Sequence, residues 1–169
     1  ANCVAFRPDS NVLAAGLDNN SAMLWSVDGR PIKTLKKHTS KVKSISFSAD
    51  GTMIASGALD KTVKLWKADG SYLRSINCKS PVLSVDFCSD NKRMAVGVEN
   101  NEVQLWSKEG RFIKTLKGHT AAVRGVAFSY DGKMIVSGSD DGSLKLWSVD
   151  GRLIKTMKSG SGKITSVDF

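Results

Sequence analysis

Two histidines are the side chains of this sequence best suited to chemistry. They are His38, in the stretch KKHT, and His119, in the stretch KGHT, and the 169-residue chain has no other histidine. A histidine that recurs in the same short frame could bind a metal, act as a catalytic base or form structural hydrogen bonds. The choice depends on the residues that the fold brings beside it.

A metal site lacks the residues that it needs. The three cysteines, Cys3, Cys78 and Cys88, are an odd number without metal-ligand spacing, and two histidines are too few to complete a site. The sequence also has no phosphate-binding glycine loop. We therefore expect no metal, no cofactor and no small-molecule substrate, and the cysteines favour a reducing, cytoplasmic location.

The overall composition is that of an ordinary globular chain. Hydrophobic residues make up 41% and charged residues 24%. The longest apolar runs reach about five or six residues, whereas crossing a bilayer needs roughly 20, so we expect no integral membrane segment. The formal net charge of +9 favours contact with an anionic partner, unless the lysines have a structural role at strand edges.

Four tryptophans divide the chain into units of about 41 residues. Each follows a leucine, and they are Trp25, Trp66, Trp106 and Trp147. A phenylalanine lies 19 positions before each of them, at Phe6, Phe47, Phe87 and Phe128, and Phe169 starts a fifth unit. A fixed period of this length is the sequence signature of a repeat architecture.

Each unit has the pattern of four short strands. In the fourth unit, the β-forming runs VRGVAFS, MIVSGS, LKLWSV and LIKTMK are separated by the turn sequences YDGK, DDGS and DGR. Connections this short make neighbouring strands antiparallel, and both faces of the resulting sheet carry apolar residues. A sheet of this kind must be sandwiched between copies of itself, which predicts an all-β fold, a β-propeller of four-stranded antiparallel blades. A linear β-solenoid or a sandwich of two long sheets is the alternative, but solenoid coils usually repeat at about 20 to 30 residues.

The pattern predicts the positions of the blades. We expect them at about residues 1–36, 42–77, 82–117 and 123–158, with 163–169 as the first strand of a fifth blade. The chain would then contain four blades plus one extra inner strand over residues 1–169. We therefore expect a segment of a longer propeller.

The stretch LKGHTAAVRGVAFSYDGKMIVSGSDDGSLKLW, residues 116–147, resembles a WD-repeat of the β-propeller family. The similarity extends over all 169 residues in four tandem copies. One departure is that the Asp that normally follows the Trp is replaced in every unit, by Ser26, Lys67, Ser107 and Ser148. The resemblance implies a propeller that commonly has about seven blades.

The resemblance also implies a role for the histidines. In WD-repeats a His, a Ser or Thr, an Asp and the Trp form a hydrogen-bonded chain, and two units carry the full set. These structural tetrads are His38, Ser56, Asp60 and Trp66, and His119, Ser137, Asp141 and Trp147. A Ser, His and Asp set that recurs is unlike an active site, which normally occurs once. We therefore expect no catalytic residues and no enzyme activity.

Two units lack the complete set of His, Ser, Asp and Trp. The first has Ala15 and Asn19, and the third has Val96, Asn100 and the loop CKSP where GHT should be. In the third unit the hydroxyl, the carboxylate and the imidazole are all replaced. Because a buried His without partners would be costly, this joint loss supports the structural interpretation.

Propellers of this family bind partners mainly on the face built from the loop before the first strand and the turn between the second and third strands. The residues that match its contact positions are Asp18, Lys41, Lys43, Leu59, Pro81, Leu83, Glu99, Ala122, Arg124, Asp140 and Lys163. Mixed charge around an apolar centre, here Leu59, Pro81 and Leu83, is typical of a protein-binding surface. The resemblance therefore implies a non-enzymatic scaffold that presents loops to other proteins, the subunits or domains of a larger assembly.

Basic residues recur on the fourth strand of each unit, at Lys33, Arg74, Lys114 and Lys155. This strand is the outer edge of a blade, where charged side chains block edge-to-edge pairing. The alternative is an anion-binding propeller that uses this basic rim to contact nucleic acid or phosphoinositide. A regulatory propeller attached to an enzyme domain is a further alternative.

Overall fold

The computed structural model describes residues 1–160 and 162–169. In this part of the chain there are sixteen strands and no helix, so no helix is available to span a membrane. The strands form four separate four-stranded sheets in which every neighbouring pair is antiparallel. The predicted all-β propeller of four-stranded blades is confirmed.

Each blade is made of four consecutive strands. Blade one contains β1 (Cys3–Phe6), β2 (Val12–Gly16), β3 (Ser21–Ser26) and β4 (Pro31–Lys36). Blade two contains β5 (Val42–Phe47), β6 (Met53–Ala58), β7 (Thr62–Lys67) and β8 (Tyr72–Asn77). Blade three contains β9 (Val82–Phe87), β10 (Arg93–Val98), β11 (Val103–Ser107) and β12 (Phe112–Leu116). Blade four contains β13 (Val123–Phe128), β14 (Met134–Ser139), β15 (Ser143–Ser148) and β16 (Leu153–Lys158).

Short turns fold each blade because their side chains bond to their own backbone. In the turn between β5 and β6, Ser48 donates its hydroxyl to Asp50 at 2.6 Å, and Asp50 also accepts the backbone N–H of Thr52 at 3.0 Å. Gly51 follows with φ of 67°, in the left-handed region that glycine adopts without steric cost. The sequence pattern S-x-D-G thus forces the chain to reverse at this point.

The apolar core lies between neighbouring blades. Between blades two and three, Val63 and Leu65 of β7 pack with Phe87 of β9 and Met94 of β10 in one buried cluster. Similar clusters fill the junctions between blades one and two and between blades three and four. Each sheet therefore depends on its neighbours to bury its two faces.

A glycine in the second strand of a blade lets the next blade approach closely. A Cβ on Gly57 would collide with Cγ1 of Val82, and a Cβ on Gly97 would lie 3.0 Å from Cγ1 of Val123. Both valines are the first residues of inner strands in the following blade. Glycine at this position therefore sets the spacing between neighbouring blades.

Side chains connect the first strands of neighbouring blades. Ser44 of β5 accepts the backbone N–H of Val85 on β9 at 2.9 Å. One blade further, Asp86 of β9 accepts the N–H of Phe128 on β13 at 2.9 Å. Burial raises the pKa of Asp86. Because these N–H groups lie on an open strand edge, the side-chain acceptors satisfy them without a continuous sheet.

Residues 163–169 follow blade four without any assigned strand. Ile164 donates its backbone N–H to Ser139 at 3.0 Å, as Val42 does to Leu17 at 3.2 Å between blades one and two. A Cβ on Gly138 would also lie 2.5 Å from Ile164. The segment thus packs against blade four as an inner strand would, and its membership of a fifth blade stays a prediction.

Candidate functional site

The structure brings the four side chains of the His119 set into one hydrogen-bonded chain. His119 Nδ1 lies 2.8 Å from Asp141 Oδ2, and its Nε2 lies 2.8 Å from Ser137 Oγ. Trp147 donates its indole N–H to the same Ser137 oxygen at 2.8 Å. Because an indole N–H only donates, the Ser137 hydroxyl donates its proton to His119, and the ring carries its own proton on Nδ1, towards Asp141.

The His38 set repeats this geometry in blade two. His38 lies 2.8 Å from both Asp60 and Ser56, and Trp66 donates to Ser56 at 2.9 Å. The serine in each set has no exposed surface. A hydroxyl that is buried and already bonded to His and Trp cannot reach a substrate, so the geometry favours a structural role.

The aspartates of the two sets connect the loop that contains the histidine to the turn between the second and third strands of the blade. Asp141 Oδ2 also accepts the backbone N–H of Thr120 at 2.9 Å, while Oδ1 accepts the N–H and the hydroxyl of Ser143 at 2.8 and 2.6 Å. Thr39 and Thr62 bond to Asp60 in the same way. Sequence reasoning missed these residues, although a Ser or Thr two positions after an Asp is a recognisable turn signal.

Burial and hydrogen bonding hold each set in one protonation state. Burial lowers the pKa of His38 and His119, although the neighbouring aspartates act in the opposite direction. Burial also opposes ionisation of Asp60 and Asp141, but hydrogen bonds, first those from Thr62 and Ser143, lower the pKa of both carboxyl groups. Each set is therefore a neutral imidazole beside a carboxylate.

In blade three a different residue accepts the indole N–H of the tryptophan. Cys78 lies at the position that His119 has in blade four, and Val96 lies at the position of Ser137. Trp106 donates its indole N–H to Gln104 at 3.3 Å, and Gln104 in turn donates to the Cys78 carbonyl oxygen at 3.1 Å. Sequence reasoning did not find Gln104, because its position carries Lys in blades two and four.

The predicted partner-binding residues lie at one end of the blades. In each of three blades a turn residue donates its N–H to the carbonyl of the residue before the first strand: Leu59 to Lys41 at 3.1 Å, Glu99 to Pro81 at 3.0 Å and Asp140 to Ala122 at 2.9 Å. These bonds hold the two loops of each blade at a fixed separation. We call this end of the molecule the loop face, defined by the eleven predicted residues.

A cavity of about 630 Å³ opens at the centre of the loop face. Its lining includes five of the predicted residues, Lys43, Leu83, Arg124, Asp140 and Lys163. Leu83 is only 7% exposed, so the apolar centre consists mainly of the half-buried Leu59 and Pro81.

Ion pairs lie on the loop face, and Arg124, Asp140 and Lys163 form theirs in the lining of this cavity. Lys41 lies 3.2 Å from Asp18, and Lys163 lies 3.5 Å from Asp140. Arg124 contacts the same Asp140 at 2.6 Å, and the guanidinium lowers the pKa of that carboxyl group. The loop face therefore presents fixed charges of both signs beside a small apolar centre.

The basic rim is partly used inside the molecule. Arg74 donates to the backbone carbonyl of Glu109 in the next blade at 2.7 Å, and Lys114 donates to the carbonyl of Asp150. The stem of Lys33 packs against Gly70 of the next blade. These contacts join neighbouring blades, which leaves fewer rim cations free for an external anion.

The cysteines are free, and burial makes the thiols of Cys78 and Cys88 hard to ionise. All three cysteines are free thiols, and burial raises the pKa of Cys78 to about 12 and of Cys88 to about 11. A thiol with a raised pKa is a poor nucleophile because it is rarely ionised. Among the described residues, no group of three or more His, Cys, Asp or Glu side chains could hold a metal ion.

Sequence comparison identifies the repeat. The family model described as WD domain, G-beta repeat matches residues 1–26, 29–67, 70–107 and 110–148. Each matched range ends at the residue after one of the four tryptophans. No curated protein matches the sequence. The four ranges cover most of the chain, which therefore belongs to the WD domain, G-beta repeat family.

Proposed function

We propose that the protein is a non-enzymatic scaffold that binds other proteins through the loop face. The observation that supports this proposal is the cavity at one end of the blades, whose lining includes five of the eleven predicted residues. Members of the family generally bind other proteins. The buried tetrads support the proposal because they hold the loops of blades two and four in place, and a preformed surface loses less entropy on binding.

The chemistry of the loop face suits a protein partner. The loop face combines the ion pairs Lys41–Asp18 and Arg124–Asp140 with the partly exposed Leu59 and Pro81. Protein interfaces commonly combine a small apolar centre with a polar rim, and arginine is enriched among the residues that contribute most to affinity. Leu59 and Arg124 are the side chains that we expect to contribute most.

We further propose that the chain works within a larger assembly. Val4 and Phe6 in blade one are 63% and 60% exposed, whereas the equivalent Ile45 and Phe47 in blade two are 6% and 8% exposed because blade one covers them. An apolar blade face of this kind is suited to a further blade or another subunit. The buried free thiols of Cys78 and Cys88 support a reducing, cytoplasmic location for this assembly.

An anionic partner on the basic rim is the alternative. It has less support, because Arg74 and Lys114 already donate hydrogen bonds to the next blade. Lys33 and Lys155 are exposed, but isolated lysines give a weak and salt-sensitive attraction.

Affinity capture with the complete chain tests the proposal. Combined substitution of Lys41, Leu59 and Arg124 by alanine should lower the recovery of partner proteins at least about tenfold, as expected when interface residues of this kind are truncated. A matched variant at the opposite end, with alanine at Lys92, Tyr130 and Lys133, should keep them. Equal melting temperatures would exclude unfolding as the cause. If the loop-face variant retained every partner, the proposal would be wrong.

A further inference from the structure

Blades two and four each hold a largely buried lysine at the same place. Lys64 of β7 donates to the hydroxyl of Ser75 at 3.2 Å, and Lys145 of β15 donates to the hydroxyl of Thr156 at 3.0 Å. Both lysines are less than a tenth exposed. The repeat is thus built to hold a cation against a hydroxyl group of its fourth strand.

Blade three keeps the hydroxyl and lacks this internal cation. Gln104 lies at the lysine position, opposite Thr115, which is the equivalent of Ser75 and Thr156. The Gln104 amide is directed to the Cys78 carbonyl and to Trp106. No hydrogen bond from Gln104 reaches Thr115 in the described part of the chain.

A cleft of about 520 Å³ opens beside Thr115. Asn100, Glu102, Trp106 and Phe112 contribute to its lining, together with the exposed Lys79. Trp106 is partly exposed at this place, whereas the equivalent tryptophans of blades two and four are almost fully buried. The cleft lies at the same end of blade three as Pro81 and Glu99, but on its outer strands.

The cleft also contains a carboxylate that the other blades lack. Glu102 lies where blades two and four have Thr62 and Ser143. Asn100 approaches it at 3.4 Å, and the exposed Lys117 lies 3.9 Å away. An exposed ion pair at this distance contributes little, so Glu102 can exchange it for a better-placed cation.

Aromatic rings complete the resemblance to a cation site. Trp106 and Phe112 pack edge to face at 5.1 Å, as Trp66 and Tyr72 do at 5.5 Å in blade two. There the ammonium group of Lys37 lies 5.5 Å from the centre of the Tyr72 ring. Blade three has Asn77 at the position of Lys37, so the ring of Phe112 has no such internal partner among the described residues. Ring faces attract ammonium groups at these distances.

We propose that this cleft binds a lysine side chain of a partner protein. The alkyl stem would lie along Trp106 and Phe112, and the ammonium group would donate to Thr115 and to the Glu102 carboxylate. The partner's lysine thereby takes the role that Lys64 and Lys145 have in the other blades. The cleft of blade one does not share this chemistry, because it has Met23 and Ser21 at the positions of Gln104 and Glu102.

The proposal rests on the proposed protein-binding function and adds a second contact point to it. Gln104→Lys supplies the internal ammonium of blades two and four and should fill its own cleft. It also removes the acceptor of the Trp106 indole N–H, so its melting temperature is measured first to establish that it folds. Glu102→Gln removes the carboxylate with little change in shape. Both variants leave the loop face unchanged.

The test is a titration of the complete chain with a short capped peptide that carries one central lysine, followed by NMR of the four indole N–H groups. We expect the Trp106 signal to shift, with affinity at least about tenfold lower in Gln104→Lys and about threefold lower in Glu102→Gln. A matched peptide with norleucine or acetyl-lysine in place of lysine should cause no shift.

Three results would overturn the proposal: unchanged binding to Gln104→Lys, equal binding of the norleucine peptide, or shifts confined to another tryptophan. The triple alanine variant of the loop face separates this proposal from the proposed function. It should still bind the lysine peptide, even where it fails to recover partner proteins. If the unsubstituted chain did not bind the lysine peptide but still recovered partner proteins, the lysine-binding proposal would be rejected and the proposed scaffold function would be unaffected.

Discussion

The side-chain oxygen of Gln104 accepts the indole N–H of Trp106 at 3.3 Å. The equivalent tryptophans of blades two and four donate instead to serines, at 2.9 and 2.8 Å. The indole N–H is therefore satisfied in all three blades, by two different means. This supports the view that the histidines serve the packing of the tryptophan and the loops, since a blade without them keeps the same fold.

His119→Ala should destabilise the protein. The substitution leaves Ser137 and Asp141 without their shared partner in a buried environment, and the expected loss in the free energy of unfolding is about 1–3 kcal/mol. Urea unfolding monitored by tryptophan fluorescence measures it. Thr120→Ala is the matched control, because the exposed Thr120 contributes only its backbone N–H, and it should change stability by less than about 0.5 kcal/mol. Equal effects of the two substitutions would contradict the structural role.

Stability should fall as the pH falls below about 6.5. Burial lowers the pKa of His38 and His119 in the folded protein, so below this pH the unfolded state binds more protons than the folded state. The free energy of unfolding therefore decreases with falling pH, by at most about 1.4 kcal/mol per pH unit for each histidine. Unfolding curves measured between pH 7 and pH 5 test this. A variant with both histidines replaced by alanine should lose the slope; if the slope persisted, other groups would be responsible.

Gly57→Ala should disturb the junction between blades two and three. The added Cβ would collide with Val82, and overpacking of this kind costs about 1–3 kcal/mol. Thermal unfolding gives the change. Adding Val82→Ala removes the colliding methyl groups, so the double variant should lose less stability than the sum of the single variants. Additive losses would show that the close approach does not limit this junction.

Rim residues should differ in their effect on stability. Arg74→Ala removes a hydrogen bond to Glu109 and the packing of the side-chain stem on Gly110, with an expected loss of about 0.5–1.5 kcal/mol. Lys155→Ala should cost less than about 0.5 kcal/mol, because the described residues offer this side chain no equivalent contact. Parallel urea titrations compare the two. If both substitutions changed the free energy of unfolding equally and negligibly, the rim residues would have no structural role, and the anion-binding hypothesis would gain support.

The sequence predicted the fold because its signals are local and repeated. The Leu-Trp pairs, the D-G turns and the β-forming runs recur at one period, and stacking satisfies each unit in the same way. The small residues at Gly57 and Gly97 also recur, but their reason lies in the next blade and becomes visible only in three dimensions.

The candidate site was harder to predict. The Ser, His, Asp and Trp residues of each tetrad could be assigned from the family pattern, whereas Gln104 could not, because nothing in its sequence neighbourhood identifies it as an acceptor for Trp106. Leu83 was assigned to the exposed apolar centre, but its side chain turns into the cavity lining and is largely buried. Which of two faces a strand-end residue uses depends on the packing of neighbouring blades.

Site-specific photo-cross-linking tests the central claim most directly. A photoreactive benzoylphenylalanine in place of Leu59 lies on the loop face, and the same residue in place of Tyr130, which is 95% exposed, lies at the opposite end of the blades. The account predicts that the probe at position 59 cross-links to partner proteins in cells and that the probe at position 130 does not. Adducts at position 130 with none at position 59 would contradict it.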